Sequence, residues 1–248
     1  MNMPASQIDV LNIIREISAA TTEDAVKLLS ERAIHLVGGD YFIYSTIREN
    51  NYSQKHDIHH HFENCSKEWR SVYDRRKWFM NDPFIEYARS HTEPSLGADI
   101  VPVTPGQAEM LCAAASHGFR SAIVIPTHNN LGAQQCMGML LIGAASEAAL
   151  GEPVFAANRL VFRALAMELM DWWKIQFQQL AVQRFKLQQR EMQILEHLYK
   201  GKTIAEIAAI TDIKASTLYR HLDVLKDKMN AIKTDDLVRK ARFCGLFG

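Results

Sequence analysis

The stretch TIAEIAAITDIKASTLYRHL, Thr203 to Leu222, decides how the chain is read. Two short apolar-periodic segments flank a break at Thr211-Asp212-Ile213-Lys214. Thr203 followed three residues later by Glu206 is a capping-box pattern, so one helix starts there and runs to about Ile210. Ile204, Ile207 and Ala208 share a face of it. After the break, Leu218, Leu222, Leu225 and Met229 make a second apolar stripe, and the opposite face carries Tyr219, Arg220, Asp223, Lys226 and Asp227. Periodicity alone leaves two readings open. One is a small helical bundle with a solvated charged face. The other is a helix that lies in a DNA major groove. On the second reading Lys202, Thr203, Lys214, Ser216 and Thr217 stand where helix N-termini offer N–H groups and polar side chains to phosphate.

The flanking sequence completes a four-helix module. A helix over residues 188–199 points Met192, Leu195 and Leu198 inward and ends at Gly201; a last one, over 235–243, ends at Gly245. From Arg184 onward thirteen lysines and arginines face eight acids. That part carries +5 and the rest −5, in a chain whose formal net charge is zero. A basic module on an acidic body points modestly toward a polyanion partner. Apolar residues make up 48% and charged residues 23%, the balance of an ordinary globular protein. Four scattered cysteines without a CxxC pair read as reduced thiols in the cytoplasm. No signal-like start and no apolar run of spanning length is seen, so no membrane role is expected.

Upstream, the spacing predicts an α/β domain. Ile8, Leu11, Ile14 and Ile17 predict a first helix. A second begins near Thr21-Thr22, with Thr21 and Asp24 as a capping pair, and stops at Gly38-Gly39. DYFIYSTI, SAIVIPTH and QQCMGMLLIGA read as strands, the last two joined by a turn at Asn129-Asn130-Leu131-Gly132. Helical segments are predicted over 67–76, 82–90 and 107–117, and a long helix from Pro153, suited to a first turn, to about Gln183. That helix has apolar residues on more than one face, so a second copy of the chain is the expected cover. The polar run QFQQLAVQRFK marks residues 177–186 as a linker between domains at 1–176 and 187–248.

The spacing of particular residues in the C-terminal module resembles the LuxR/GerE-type helix-turn-helix. The residues that carry it are Arg190-Glu191, Ile194-Leu195, Gly201-Lys202-Thr203, Glu206-Ile207-Ala208, Ser216, Thr217, His221, Lys228-Met229 and Gly245-Leu246. The resemblance implies that residues 203–210 form a supporting helix and 216–230 the recognition helix. It also implies that Glu191 and Lys202 hold the module together or touch the DNA backbone. Leu218 stands where valine is usual, and Asp223 puts an acid on the expected DNA side, able to accept from cytosine N4 or to weaken phosphate binding.

In the N-terminal domain Trp69 and Tyr73, four apart, share a helix face, and Asp82 precedes Pro83 at a helix start. These three could converge on a polar head group, or be two core aromatics and a cap. The pattern Trp69, Tyr73, Asp82-Pro83 resembles the N-acyl-homoserine-lactone-binding domain of LuxR-type quorum-sensing regulators, loosely over residues 1–175. The resemblance implies a mainly antiparallel α-β-α sandwich in which Trp69 donates to the lactone carbonyl, Tyr73 to the amide carbonyl, and Asp82 accepts the amide N–H. Tyr41 and Ala122 join the ligand-binding candidates. Ala122 stands where the family usually has glycine, and Leu96-Gly97 where it usually has tryptophan. The partners implied are double-stranded DNA, a small-molecule autoinducer, a second copy of the chain and RNA polymerase. No cofactor or metal is implied. A regulator sensing a non-lactone molecule is the alternative, and an enzyme acting on the signal a further one. No GxSxG, HExxH, P-loop or GxGxxG sequence supports the enzyme. HDIHHH, from His56 to His61, has metal-ligand residue types without a recognised zinc spacing.

Overall fold

The computed structural model describes residues 5–48, 58–131 and 134–247. The chain forms two compact units that divide between Trp172 and Trp173. In the first, α1 (Ala5–Ile17) buries Val10, Ile13, Ile14 and Ile17, while Ile8 is exposed, so its inward face is turned from the expected stripe. α2 (Glu23–His35) is capped by Thr22, whose hydroxyl accepts the Ala25 N–H, rather than by the Thr21–Asp24 pair. The chain leaves α2 through Gly38 at φ +87, a backbone conformation that glycine adopts without strain.

Five strands form one sheet in the order β2-β1-β5-β4-β3: β1 (Tyr41–Arg48), β2 (Ile58–Glu63), β3 (Ser95–Leu96), β4 (Ser121–Leu131) and β5 (Gln134–Ala144). β1 pairs antiparallel with β2 and with β5, and β3 with β4. Of the turn expected at 129–132, Asn129, Asn130 and Leu131 belong to β4, and Gly132 lies outside the described residues.

Side-chain alternation divides the sheet into two faces. One buries Phe42, Tyr44, Thr46, Ile123, Ile125, Leu140 and Ile142. α2 and the long helix α6 (Ala148–Arg184) pack there: Ile34 stands beside Ile142 over Gly39, and Met170 stands with Thr127 over Gly138. The other face presents Val124, Met137, Met139 and Leu141 to α3 (Lys67–Arg76), α4 (Pro83–Ser90) and α5 (Pro105–Ser116). Trp69, Phe84, Ile85, Ala88, Met110 and Ala114 of these helices close one apolar cluster. This is the α-β-α sandwich with an antiparallel sheet that the resemblance implied. α6 begins five residues before Pro153, so that proline lies inside the helix and not in its first turn. There it has no N–H to give the Ala149 carbonyl, so α6 lacks one backbone bond in its second turn.

In the second unit, α7 (Gln189–Tyr199), α8 (Ile204–Thr211), α9 (Ala215–Lys228) and α10 (Thr234–Phe243) surround a core of Ile194, Leu195, Leu198, Ile207, Leu218, Leu222, Leu225, Met229, Leu237 and Ala241. Residues 177–184, read as linker, are the helical end of α6, and Ala181, Val182 and Phe185 pack against this core. Among the polar letters of QFQQLAVQRFK, Phe177, Ala181 and Phe185 recur every four residues, which is one helix face.

Candidate functional site

The first unit holds a cavity of about 230 Å³ between the sheet and the helices that cover it. β1 and β5 supply Ile43, Ser45, Met139 and Leu141 as its floor. The walls are Trp69 and Tyr73 of α3, Phe84 and Ile85 of α4, and Met110 and Ala114 of α5, with Asp82 between α3 and α4. A mostly apolar cavity with a few convergent polar groups is what a small amphiphilic ligand requires.

Each polar group has a local cause. Ser66 caps α3 by accepting the Trp69 N–H at 3.1 Å. This phases the helix so that Trp69 and Tyr73, one turn apart, both turn inward with ring centroids 5.6 Å apart. Trp78 and Phe119 pack on Trp69 at 5.8 and 6.1 Å and hold the indole in place. Asp82 is the N-cap of α4: Oδ1 accepts the Phe84 N–H at 2.7 Å and the Ile85 N–H at 3.4 Å. Oδ2 accepts from the Tyr73 hydroxyl at 2.6 Å. Burial pushes the Asp82 carboxyl above its ordinary value, against those three bonds, which lower it. Burial, and then the Asp82 charge, push the Tyr73 phenol well above its ordinary value, so it stays a neutral donor.

Sequence reasoning missed the cavity's polar rim. Ser45 and His61 are cross-strand partners, and both line the cavity with Arg70 and Asp74. Arg70 joins Glu63 at 3.2 Å and Asp74 at 2.8 Å, and its Nη2 lies 3.5 Å from His61 Nδ1. Alternation on β1 was the available signal for Ser45; Arg70 adjoins Trp69 and could have been flagged with it. Two candidates do not reach the wall. Tyr41 packs on Phe119 at 5.4 Å, behind the cavity lining. Ala122 is buried in the same cluster but faces β3: a Cβ on Gly97 would lie 2.9 Å from the Ala122 Cβ. Of the histidine run, His56 lies outside the described residues. Among the described residues no group of three or more His, Cys, Asp or Glu side chains is placed to hold a metal ion.

The second unit presents its DNA-contact candidates on exposed surface. Ser216, Tyr219, Arg220 and Asp223 share the outward side of α9, with Thr217 and Lys226 half-buried. Asp223 Oδ1 holds Lys226 Nζ at 2.6 Å. Lys214 precedes α9 without a side-chain cap bond, so its first N–H groups are left to a ligand or water. α8 differs. Thr203 Oγ1 accepts the Glu206 N–H and donates to Glu206 Oε2, which also takes the Thr203 N–H. These bonds hold the Glu206 carboxyl below its ordinary range. Thr203 is therefore a helix cap, its N–H already used, and not a free phosphate donor. Lys202 beside it is exposed, its Nζ 3.8 Å from Glu206.

Residues 22–171 match the autoinducer binding domain family, and residues 186–241 match the luxR family of bacterial regulatory proteins. The chain is 24% identical over 247 residues to the transcriptional activator protein AhyR of Aeromonas hydrophila, a match that covers 97% of this chain and 92% of that protein. Its fold is similar to that of Escherichia coli SdiA, with a TM-score of 0.63 and 19% identity over 96% of this chain and 97% of that one. SdiA has also been solved in complex with octanoyl-rac-glycerol. CepR2 of Burkholderia cenocepacia, an N-acylhomoserine lactone dependent LuxR family factor, matches with a TM-score of 0.57 and 18% identity over 68% of this chain and 96% of that one.

Proposed function

The chain belongs to the LuxR family of bacterial regulators with an autoinducer-binding domain, and we propose that its cavity takes an N-acyl-homoserine lactone. It is a ligand-responsive transcription factor that binds DNA, and not an enzyme. The observation that carries the ligand reading is the convergence of Trp69, Tyr73 and Asp82 on one apolar cavity. An amide carries one donor and one acceptor, and burying it requires a partner for each. Asp82 Oδ2 accepts the amide N–H, the Tyr73 hydroxyl donates to the amide carbonyl, and the Trp69 indole N–H donates to the ring carbonyl. Ile43, Met110, Met139 and Leu141 then enclose the acyl chain.

Two further parts of the reading follow. Leu150, Val154, Leu160 and Met167 are exposed along α6, an apolar stripe that a second copy of the chain would cover. A homodimer presents two α9 helices to a two-fold symmetric duplex site about one helical turn apart, or a multiple of it. Bound in the cytoplasm, such a dimer activates transcription by contact with RNA polymerase, in keeping with the activator role named for AhyR. A second reading, a non-lactone amphiphile, is favoured by the polar rim of Ser45, His61 and Arg70 and by the glycerol ester bound to SdiA.

The test is to express the chain with a panel of N-acyl-homoserine lactones, purify it and identify the extracted ligand by mass spectrometry. One lactone per chain is expected, and its loss in Trp69→Phe and Asp82→Asn. Soluble protein that carries no lactone from any culture, or carries it equally in both variants, overturns this assignment. For the DNA face, Arg220→Ala is expected to weaken binding to the cognate duplex; unchanged affinity at matched salt counts against it.

A further inference from the structure

Asp223 is the outward acid that phosphate binding does not explain. It is the ninth residue of α9, about 12 Å along the axis from the first at ~1.5 Å per residue. A major groove is about 12 Å wide, so a helix entering by its N-terminal end carries Ser216, Tyr219, Arg220 and Asp223 to the base edges. A bare carboxylate in that position meets a phosphate wall on each side and is repelled. Here the carboxylate is not bare. Its side chain is 70% exposed, yet Oδ1 is held by Lys226 Nζ at 2.6 Å, and the Lys226 side chain is only 27% exposed. The ammonium, one turn further along α9, offsets the charge at Oδ1, while among the described residues no group holds Oδ2.

An ionised carboxylate only accepts hydrogen bonds. The donors on the major-groove edge are the N4 amine of cytosine and the N6 amine of adenine. Adenine sets its N7 acceptor beside that amine, which repels a carboxylate, whereas cytosine shows the donor alone. One turn back, Arg220 makes no ion pair among the described residues and is free to meet the O6 and N7 acceptors of a guanine. We infer that Asp223, held and neutralised by Lys226, selects cytosine at a position next to the one met by Arg220, and so is a specificity-determining residue of the half-site. Asp227 is a built-in comparison. It is also an exposed acid of α9, but one turn further on, about 18 Å from the first residue at ~1.5 Å per residue and outside the groove.

This inference rests on α9 being the recognition helix. The test is selection of random duplexes by the full chain, purified from cells grown with the lactone panel, followed by sequencing of the bound pool. Wild type, Asp223→Ala, Asp227→Ala and Arg220→Ala are compared at one salt concentration. Asp223→Ala is expected to lose a cytosine preference of about five- to tenfold, at the low end for a base contact, at one position per half-site. Asp227→Ala should return the wild-type motif. If Asp223→Ala returns the wild-type motif and binds every duplex more tightly, the acid only repels phosphate and the inference is overturned. A motif altered in Arg220→Ala but not in Asp223→Ala overturns the inference and leaves the recognition helix standing. A motif unaltered in both overturns the two together.

Discussion

Lys228→Met tests what holds the DNA-binding module together. Glu191 sits at the third position of α7 with its side chain 5% exposed. Both its oxygens take Lys228 Nζ at 2.7 Å, and Oε2 also accepts the Gln188 N–H at 2.7 Å. The same ammonium donates to the Lys186 carbonyl at 2.9 Å. One lysine at the end of α9 therefore ties the start of α7 to the chain that enters the module. Methionine keeps most of the stem and removes the charge, leaving a buried carboxylate with one N–H. Breaking a buried pair by deleting one partner costs about 3–5 kcal/mol. The Lys228 side chain is 26% exposed, so water reaches the gap and the lower end, about 3 kcal/mol, is expected. Removing both charges with Glu191→Leu and Lys228→Met leaves the lost cap on Gln188, about 1 kcal/mol, and an exposed Lys186 carbonyl that water can satisfy. The double variant is thus expected to be about 2 kcal/mol more stable than Lys228→Met alone.

Amide hydrogen exchange read by mass spectrometry resolves this within the full chain. Peptides from α7 and α9 in Lys228→Met should lose roughly a hundredfold of protection, the equivalent of about 3 kcal/mol. Peptides from the sheet of the first unit serve as the reference. The double variant should recover most of the loss. Protection in α7 and α9 within threefold of wild type in the single variant, or a double variant as exposed as the single one, would refute the reasoning.

Three other outcomes follow from the first unit. Asp82→Asn keeps the cap on α4 and removes a desolvated charge, so purified without ligand it should melt at or above wild type at pH 7, yet gain nothing from added lactone. Because burial raises the folded-state carboxyl, wild type binds that proton more readily folded than unfolded; the difference in melting temperature should therefore close as pH falls from 7 toward the ordinary aspartate range, and a variant that melts below wild type at pH 7 sinks the argument. Thr127→Val replaces a buried hydroxyl that has no hydrogen-bond partner among the described residues, so urea denaturation should show it unchanged or stabilised by up to about 1 kcal/mol, and a loss of that size would show a partner at work. Gly97→Ala puts a Cβ 2.9 Å from that of Ala122 and should cost about 1–3 kcal/mol; Ala122→Gly should restore much of it, and additive losses would contradict the contact.

The module at residues 187–248 was legible because its signals are local. A capping box at Thr203–Glu206 and a leucine stripe at 218, 222 and 225 depend on residues within two turns of each other, and all three leucines are buried. The first unit was legible where a strand alternates strongly, as β1 and β5 do. β2 was left open between a solvated strand and a loop because its IHHHFE is polar and lies at the sheet edge, and β3 escaped because two residues have no period. The end of α6 was read within a residue, at about Gln183 against Arg184, but the polar letters of that run hid the packing of Ala181, Val182 and Phe185 into the second unit's core. Spacing on one helix and its neighbour made Trp69, Tyr73 and Asp82 candidates, and the family resemblance, not the spacing, favoured a ligand site over core aromatics and a cap. Ser45, His61 and Arg70 were not found: alternation on β1 and the place of Arg70 beside Trp69 were partial signals, but the three meet only when β1, β2 and α3 come together.

The same geometry sets a condition on ligand binding. Oδ1 of Asp82 is committed to the first turn of α4, so only Oδ2 can serve an amide N–H, and Tyr73 already donates to it at 2.6 Å. On the lactone reading the Tyr73 hydroxyl must turn from Asp82 to the ligand carbonyl as the amide takes its place. The exchange gives up one hydrogen bond and forms two, one to the ligand N–H and one to its carbonyl, so no buried polar group is left without a partner. The Tyr73–Asp82 bond is thus a stand-in that keeps two buried polar groups satisfied in the empty cavity. Tyr73→Phe separates these roles. It removes a donor from the ligand and also strips a bond from the buried carboxylate, so it should weaken lactone binding and destabilise the empty domain together. Trp69→Phe removes a donor to the ligand and also part of a buried indole packed on Trp78 and Phe119, so it weakens binding and destabilises the domain through lost packing and not through a lost hydrogen bond. Wild-type stability of the domain in Tyr73→Phe, measured by urea denaturation without ligand, would mean that the Tyr73–Asp82 bond is not what satisfies the carboxylate.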